Sequence, residues 1–310
     1  MTQKIRVALF DRNGFMASFV NYLCRKKQTI LETRLFTDLS LLKENLKKGR
    51  IDVLLAEEEA WQELVSVKEL VSQIILLSDG NTLCENSDDS LYQVIFKYQA
   101  MEDIVHEVIS LVAENDAIGY SLPIASKKAA EVIGGYAPFG GGGVSEYLLQ
   151  YAKINQEKER ILYISLEEFN GLSYLQKNEN KSAYMGMSEV IFYLKQKKGK
   201  LALKIDSIIT RNAEMDYIFA VENYQDLQQF FPEDMEEFLQ VLQSQTDYRK
   251  ILFDIGYLAD TTLYLMEQCD RLYMPDPTTP SQQSKVQSFL ASLHRERRDQ
   301  LYEKFLMQEA

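Results

Sequence analysis

With 310 residues and 46% hydrophobic content, the chain is long enough for two domains of ordinary size, each able to bury its own core. Its 46 acidic residues against 34 basic give a formal charge of −12, which argues against a sequence-independent grip on nucleic-acid phosphates. Cys24, Cys84 and Cys269 share no metal- or redox-type spacing, His106 and His294 are too few for a histidine metal site, and no 18 apolar residues run together; a cytoplasmic protein with free thiols is expected.

The first strand pattern, "KIRVALFD", starts almost at the N-terminus, where a signal peptide would place its apolar core. Apolar runs and helical patterns then alternate: Phe15 to Lys26, "ILETRLF", Asp38 to Lys48, "IDVLLAEEE", Trp61 to Glu69, "SQIILLSD", a polar loop, "LYQVIFKY", and Met101 to Glu114. Five strands separated by helices predict a doubly wound parallel sheet over residues 1–115, because parallel neighbours need crossovers that cover both faces. The layout is flavodoxin-like and resembles the receiver domain of response regulators. Asp11, Ser78 and Lys97 stand at strand ends where a receiver carries its acidic, hydroxyl and lysine groups. Ala56 takes the place of the phosphoacceptor aspartate, and alanine accepts no phosphoryl group. Glu57 or Glu58 either holds a cation with Asp11 or is plain solvated charge. The resemblance thus implies a pseudo-receiver, a docking or dimerisation module.

Residues 116–130 mix Gly, Pro, Ser and charge and read as a linker into a second α/β domain, 131–310. There a strand pattern, Glu131 to Tyr136, runs into "APFGGGGVSEYLLQYAK". Glycines between a strand and a helix let backbone N–H groups turn around phosphates, while a lysine neutralises the β and γ oxygens and a Ser or Thr ligates magnesium. The segment resembles the loop KGGxGK[ST] of the ParA and MinD ATPases. On that pattern the phosphate-loop positions are Gly140, Gly141, Gly142, Gly143, Val144, Ser145 and Glu146, with Phe139 and Val144 where the two lysines belong. "ERILYISLEEFNGL" resembles the next strand of that family, with Ser165 and Glu167 at its two aspartates; "YRKILFDIGYLADTT" resembles the Walker B strand, with Asp254 then Gly256. The implied magnesium ligands are Ser145, Asp254 and Glu167.

A pseudo-receiver followed by such a domain is the arrangement of the CpaE and TadZ proteins of Tad-type pilus assembly, which "KYQAMEDI", "IFAVENYQDLQQF" and "FDIGYLADTTLYLMEQCDRLYMP" also resemble. The resemblance implies two doubly wound domains, the second of ParA/MinD-like P-loop fold. It also implies homodimerisation, pilus or secretion machinery as partners, and a cytoplasmic, membrane-proximal or polar location. Loss of both lysines turns the expectation toward a pseudo-ATPase scaffold. It holds no nucleotide, or holds ATP or ADP with magnesium weakly. The rival expectation is a slow nucleotide-switched ATPase.

Several residues have a plainer reading beside the functional one. The glycines either preserve a phosphate loop or only permit close helix-to-sheet packing, and Asp254 either holds magnesium or caps the next turn. Asp226 is expected to cap or flank a helix. The basic run 192–200 is a solvated helix end or a contact for anionic lipid. The C-terminal stretch from 284 places Val286, Phe289, Leu290 and Leu293, then Leu301, Phe305 and Leu306, in an amphipathic helix that packs on the domain or a partner, or reaches a membrane.

Overall fold

Apolar runs of five to eight residues bury both faces of a strand, and such strands pair in parallel under helical crossovers. The computed structural model describes residues 4–12, 16, 18–19, 31–49, 51–80, 92–99, 101–115, 117–118, 130–156, 158–169, 171–172, 186–197, 200–211 and 215–306, and divides into two compact units, Met1–Pro123 and Ile124–Ala310. Cys24, Cys84, most of the expected helix Phe15 to Lys26, most of the linker 116–130 and the His106 side chain lie outside the described residues.

The first unit runs β1 (Ile5–Phe10), β2 (Leu31–Phe36), α1 (Leu39–Lys48), β3 (Ile51–Glu57), α2 (Trp61–Leu64), β4 (Val71–Ser78), β5 (Tyr92–Phe96) and α3 (Met101–Glu114). Its strands pair in parallel in the order β2-β1-β3-β4-β5, a flavodoxin-like order. Helix α1 starts where the Asp38 carboxylate accepts from the backbone N–H groups of Ser40 and Leu41, and it buries Leu42 and Leu46, four residues apart on one face. The helix expected over Trp61 to Glu69 is α-helical only in its first turn; from Val65 it tightens into a 3₁₀ helix.

The second unit runs β6 (Glu131–Tyr136), α4 (Val144–Asn155), β7 (Ile161–Leu166), α5 (Met187–Gln196), α6 (Leu201–Ile208), β8 (Thr210–Arg211), β9 (Asp216–Ile218), α7 (Tyr224–Gln228), α8 (Pro232–Gln245), β10 (Lys250–Ile255), α9 (Asp260–Gln268), β11 (Arg271–Tyr273), α10 (Pro280–Ser292), α11 (Arg295–Lys304) and β12 (Phe305–Leu306). The sheet order is β12-β11-β6-β10-β7-β9-β8, parallel except for β8 against β9. From β6 the chain crosses to β7 on one side, and from β10 it crosses back to β11 on the other. The adjacent carboxyl ends of β6 and β10 therefore form the crevice where open α/β sheets place ligands.

Two expectations are corrected here. The C-terminal amphipathic stretch is not one helix: Leu293 and His294 are extended, and Phe305 and Leu306 leave α11 to pair with Leu272 and Tyr273. The open edge of β11 offers backbone partners that a continued helix would leave unpaired. The stretch packs on its own domain through buried Phe289, tilted against Tyr136 at 5.3 Å, and through buried Leu301. The cap of α7 is Asn223, whose side chain accepts from Gln225 N at 3.0 Å; Asp226 lies in the first turn and accepts from Ser188 Oγ at 2.5 Å. Among the described residues no helix is long and apolar enough to cross a membrane.

Helix α4 lies against β6 because Gly135 has no side chain. An alanine Cβ there would meet Val144 Cγ1 at 2.6 Å and Leu148 Cδ1 at 2.8 Å, whereas at Gly49 it would meet nothing within 4 Å. Gly135→Ala is accordingly expected to lower unfolding free energy by about 1–3 kcal/mol in urea melts, with Gly49→Ala close to neutral.

Candidate functional site

The register of the central strands sets one row of residues beneath the first turn of α4. Asp254 of β10 lies opposite Gly135 of β6 on one side and Ser165 of β7 on the other. Tyr163, two residues before Ser165 and on the same face, donates its hydroxyl to Asp254 Oδ2 at 2.6 Å. Ser145, in the first turn of α4, adds its hydroxyl to the same carboxylate. Asp254 and Ser165 are buried. Asp254 is therefore a buried acceptor for two hydroxyls; the N-cap of the next helix is Ala259.

The loop from Ala137 to Gly143 separates the two readings of its glycines. Gly140, Gly141 and Gly143 have φ of 61°, 59° and 75°, left-handed values that a side chain rarely adopts, and the first two face open space. Backbone curvature, and not close packing, requires them. Gly142 is different: a Cβ there would meet Pro275 Cγ at 2.6 Å and Phe139 Cε2 at 2.8 Å. Packing thus explains Gly135 and Gly142, and curvature explains the other three. The N-terminus of α4 has no side-chain cap, and the Glu146 carboxylate turns back toward it, with Oε2 4.0 Å from the Cβ position of Gly143. A negative side chain in the first turn is favourable to the helix dipole by about 0.3–1 kcal/mol.

Val144, at the loop-lysine position, is buried in the cluster formed by Leu148, Leu149, Ala152, Tyr163 and Leu252. Its side chain serves the core beneath the loop. Among the described residues, the charges that bear on the Glu167 carboxyl are negative. Burial pushes the Glu167 carboxyl up to about 7, helped by the charges of Asp254 and Glu146 and opposed by the Ser165 hydroxyl. Burial also raises Asp254, against the hydroxyls of Ser145 and Tyr163, and Glu146 raises it further. Ser165 is fully buried, and its hydroxyl is the group that lowers the Glu167 carboxyl. Gly256 is pressed against Glu167, where a Cβ would lie 2.9 Å from the Glu167 Cα.

This donor set does not fit a nucleoside triphosphate with magnesium as a turnover site. The backbone curve suits phosphate, but the charged side chains that act on one another here among the described residues are the carboxylates Glu146, Glu167 and Asp254. Among the described residues no group of three or more His, Cys, Asp or Glu side chains is placed to hold a metal ion. Of the implied ligands, Ser145 and Asp254 are brought into direct contact, and Glu167 stands near enough to feel the Asp254 charge.

In the first unit, the sheet brings the receiver-like positions to one edge. Asp11 is buried and accepts from Met16 N at 2.6 Å, while Ser78 Oγ accepts from Gly80 N at 3.1 Å. Ala56 is buried beside Phe10, and Glu57, at the end of β3, pairs with Lys97 at 3.6 Å, both side chains being more than four-fifths buried. This corrects the solvated-charge reading of Glu57: the lysine already has a carboxylate partner one residue beyond the alanine.

No family model matches the chain, and no curated protein matches it. Among solved structures, a ParA family ATPase from Chlorobium tepidum matches with 14% identity over 58% of this chain and 82% of that one, at a TM-score of 0.44. A plasmid partition protein from Borrelia burgdorferi matches with 19% identity over 57% and 76%, at 0.42. A Corynebacterium diphtheriae protein matches with 14% identity over 52% and 63%, at 0.43, so the match spans less than two thirds of that protein's length.

The Glu167 carboxyl is raised in the folded chain above its ordinary 4.5, so its contribution to stability is fullest below about pH 4.5 and is lost as pH rises through about 7. Carbon-13 titration should place its midpoint near 7, and Glu167→Gln should flatten that part of the stability profile. Tyr163→Phe removes a donor from the buried Asp254 and is expected to cost about 1–3 kcal/mol in denaturant melts.

Proposed function

We propose that this protein is a non-hydrolysing scaffold: a receiver-like unit without a phosphoacceptor, joined to a ParA/MinD-like domain whose phosphate loop has kept its curve and lost its cations. The observation that carries the reading is Val144, whose side chain is committed to the core at the loop-lysine position while Glu146, Glu167 and Asp254 supply the crevice with negative charge. A lysine contact to phosphate contributes about 1.5–3 kcal/mol, so losing one lowers nucleotide affinity by about one to two decades. Phosphoryl transfer depends more steeply still on positioned positive charge.

The sequence resemblance to the CpaE and TadZ proteins supports a place in Tad-type pilus or related secretion machinery, as a homodimer near the membrane or cell pole. Under this reading the loop is a shaped element of a docking surface, and the buried Ala56 with the Glu57–Lys97 pair makes the first unit a constitutive module.

A second reading, the slow nucleotide-switched ATPase, draws support from the left-handed Gly140, Gly141 and Gly143 around an uncapped helix and from the Ser145–Asp254 contact. Isothermal titration with ATP and magnesium, run beside a phosphate-release assay, decides between the two. The scaffold predicts no saturable heat at micromolar nucleotide and release at the buffer rate. Micromolar binding with release abolished by Asp254→Asn would establish the switch.

A further inference from the structure

We infer that the outer edge of α5, with the segment from Glu222 to Asp234 beside it, is a docking strip for an amphipathic helix of a partner protein whose apolar stripe is flanked by lysine or arginine. The inference goes beyond the scaffold reading and does not depend on whether the phosphate loop takes a nucleotide.

Contacts at two points lay the strip out. Ser188, in the first turn of α5, donates its hydroxyl to Asp226 at 2.5 Å and accepts from Glu222 N at 2.9 Å. Two turns further along the same face, Lys195 sets its ammonium 4.2 Å from the centre of the Phe231 ring and pairs with Asp234. Phe192 stands between them, four residues after Ser188 and three before Lys195, and so shares their face. Phe192 is 54% exposed, Phe231 is 52% exposed, and Tyr224, which opens α7 two residues before Asp226, is 46% exposed. Three aromatic side chains are thus presented along a run of about 10 Å, the rise of two helical turns.

Folding does not explain these side chains. Phe231 is the N-cap of α8, where a serine, threonine, asparagine or aspartate would accept from the first turn and stabilise the helix by about 1 kcal/mol; a phenyl ring accepts nothing. The buried face of α5 is already made by Met187, Val190, Ile191, Tyr193 and Leu194, without Phe192. Aromatic side chains exposed together are the composition of a protein interface.

Charge selects the occupant. Glu222 and Glu233 are exposed along the strip and Asp226 is half-buried, while the Lys195 charge is met by Asp234. Lys197, at the C-cap of α5, lies past the aromatic run. Carboxylates so placed repel anionic lipid and nucleic acid, and a second copy docked face to face would bring the same carboxylates together. A helix with apolar residues at i, i+3 or i+4, and i+7 matches the length of the run, and basic flanks match its acidic border.

The test selects from a display library of four-turn helices, with an apolar stripe fixed and the flanking positions randomised, on the full chain. The double variant Phe192→Ser, Phe231→Ser is the counter-target. Phe192 is exposed and serine suits an N-cap, so the variant keeps its fold, which thermal melts verify. Selection should recover peptides that bind the natural chain and not the variant, enriched in lysine and arginine beside the stripe. In fluorescence anisotropy a recovered peptide should bind at least about tenfold more weakly to the double variant, and as weakly itself once its basic residues are replaced by glutamate. The pair Glu222→Gln, Glu233→Gln should weaken it severalfold and flatten its salt dependence. Recovery of no peptide, equal binding to both targets, or enrichment of acidic flanks overturns the inference. So does a dimer in sedimentation velocity, or binding to phosphatidylglycerol vesicles, that the double variant abolishes; the first would give the strip to a second copy and the second to a membrane.

Discussion

The seating of α4 on Gly135 is the constraint from which the rest of the second unit follows. Because the strand offers no side chain at that point, Val144 and Leu148 descend onto the backbone, and the first turn of the helix is held directly over the row Gly135, Asp254, Ser165. A helix one side chain further from the sheet would leave the Ser145 hydroxyl short of Asp254. The same contact commits position 144 to the core. Close-packed interiors have no room for a compromise between a buried valine and a projecting cation.

What remains above that row is a backbone curved like an anion site beside acidic side chains. Backbone curvature depends on φ, which Gly140, Gly141 and Gly143 provide whatever charges surround them. Charge depends on side chains, and here the loop carries Phe139 and Val144 while Glu146, Glu167 and Asp254 are acidic. Their mutual repulsion is met locally by hydroxyls, two acting on Asp254 and that of Ser165 on Glu167. Hydroxyl dipoles soften a buried charge without cancelling it, and the carboxyls titrate high as a result.

The strand ends of the first unit are engaged in a parallel way. The sheet still gathers Asp11, Ser78 and Lys97 at one edge, but each group is engaged by its own chain: Asp11 by the Met16 N–H, Ser78 by Gly80, Lys97 by Glu57. An internal ion pair more than four-fifths buried resists reorganisation, because separating it would leave two charges desolvated. Both units thus combine parallel sheets with strand ends settled into fixed contacts.

The sequence alone determined the strands and their parallel class. Continuous apolar runs such as "IDVLLAE" and "KILFDI" bury both faces wherever they are placed, and the glycine run announced a strand-to-helix turn. It also announced the missing cations, since residue identity needs no coordinates. Short elements were beyond it: β12 exists only because β11 has an open edge, and two residues carry no period to read. The same holds for the contacts that decide the site. That Val144 points into the core, that Tyr163 reaches Asp254 across strands 91 residues apart in sequence, and that Glu57 answers Lys97 all depend on sheet register. Register sets which side chains share a face, and it emerges only when strands distant in sequence are paired.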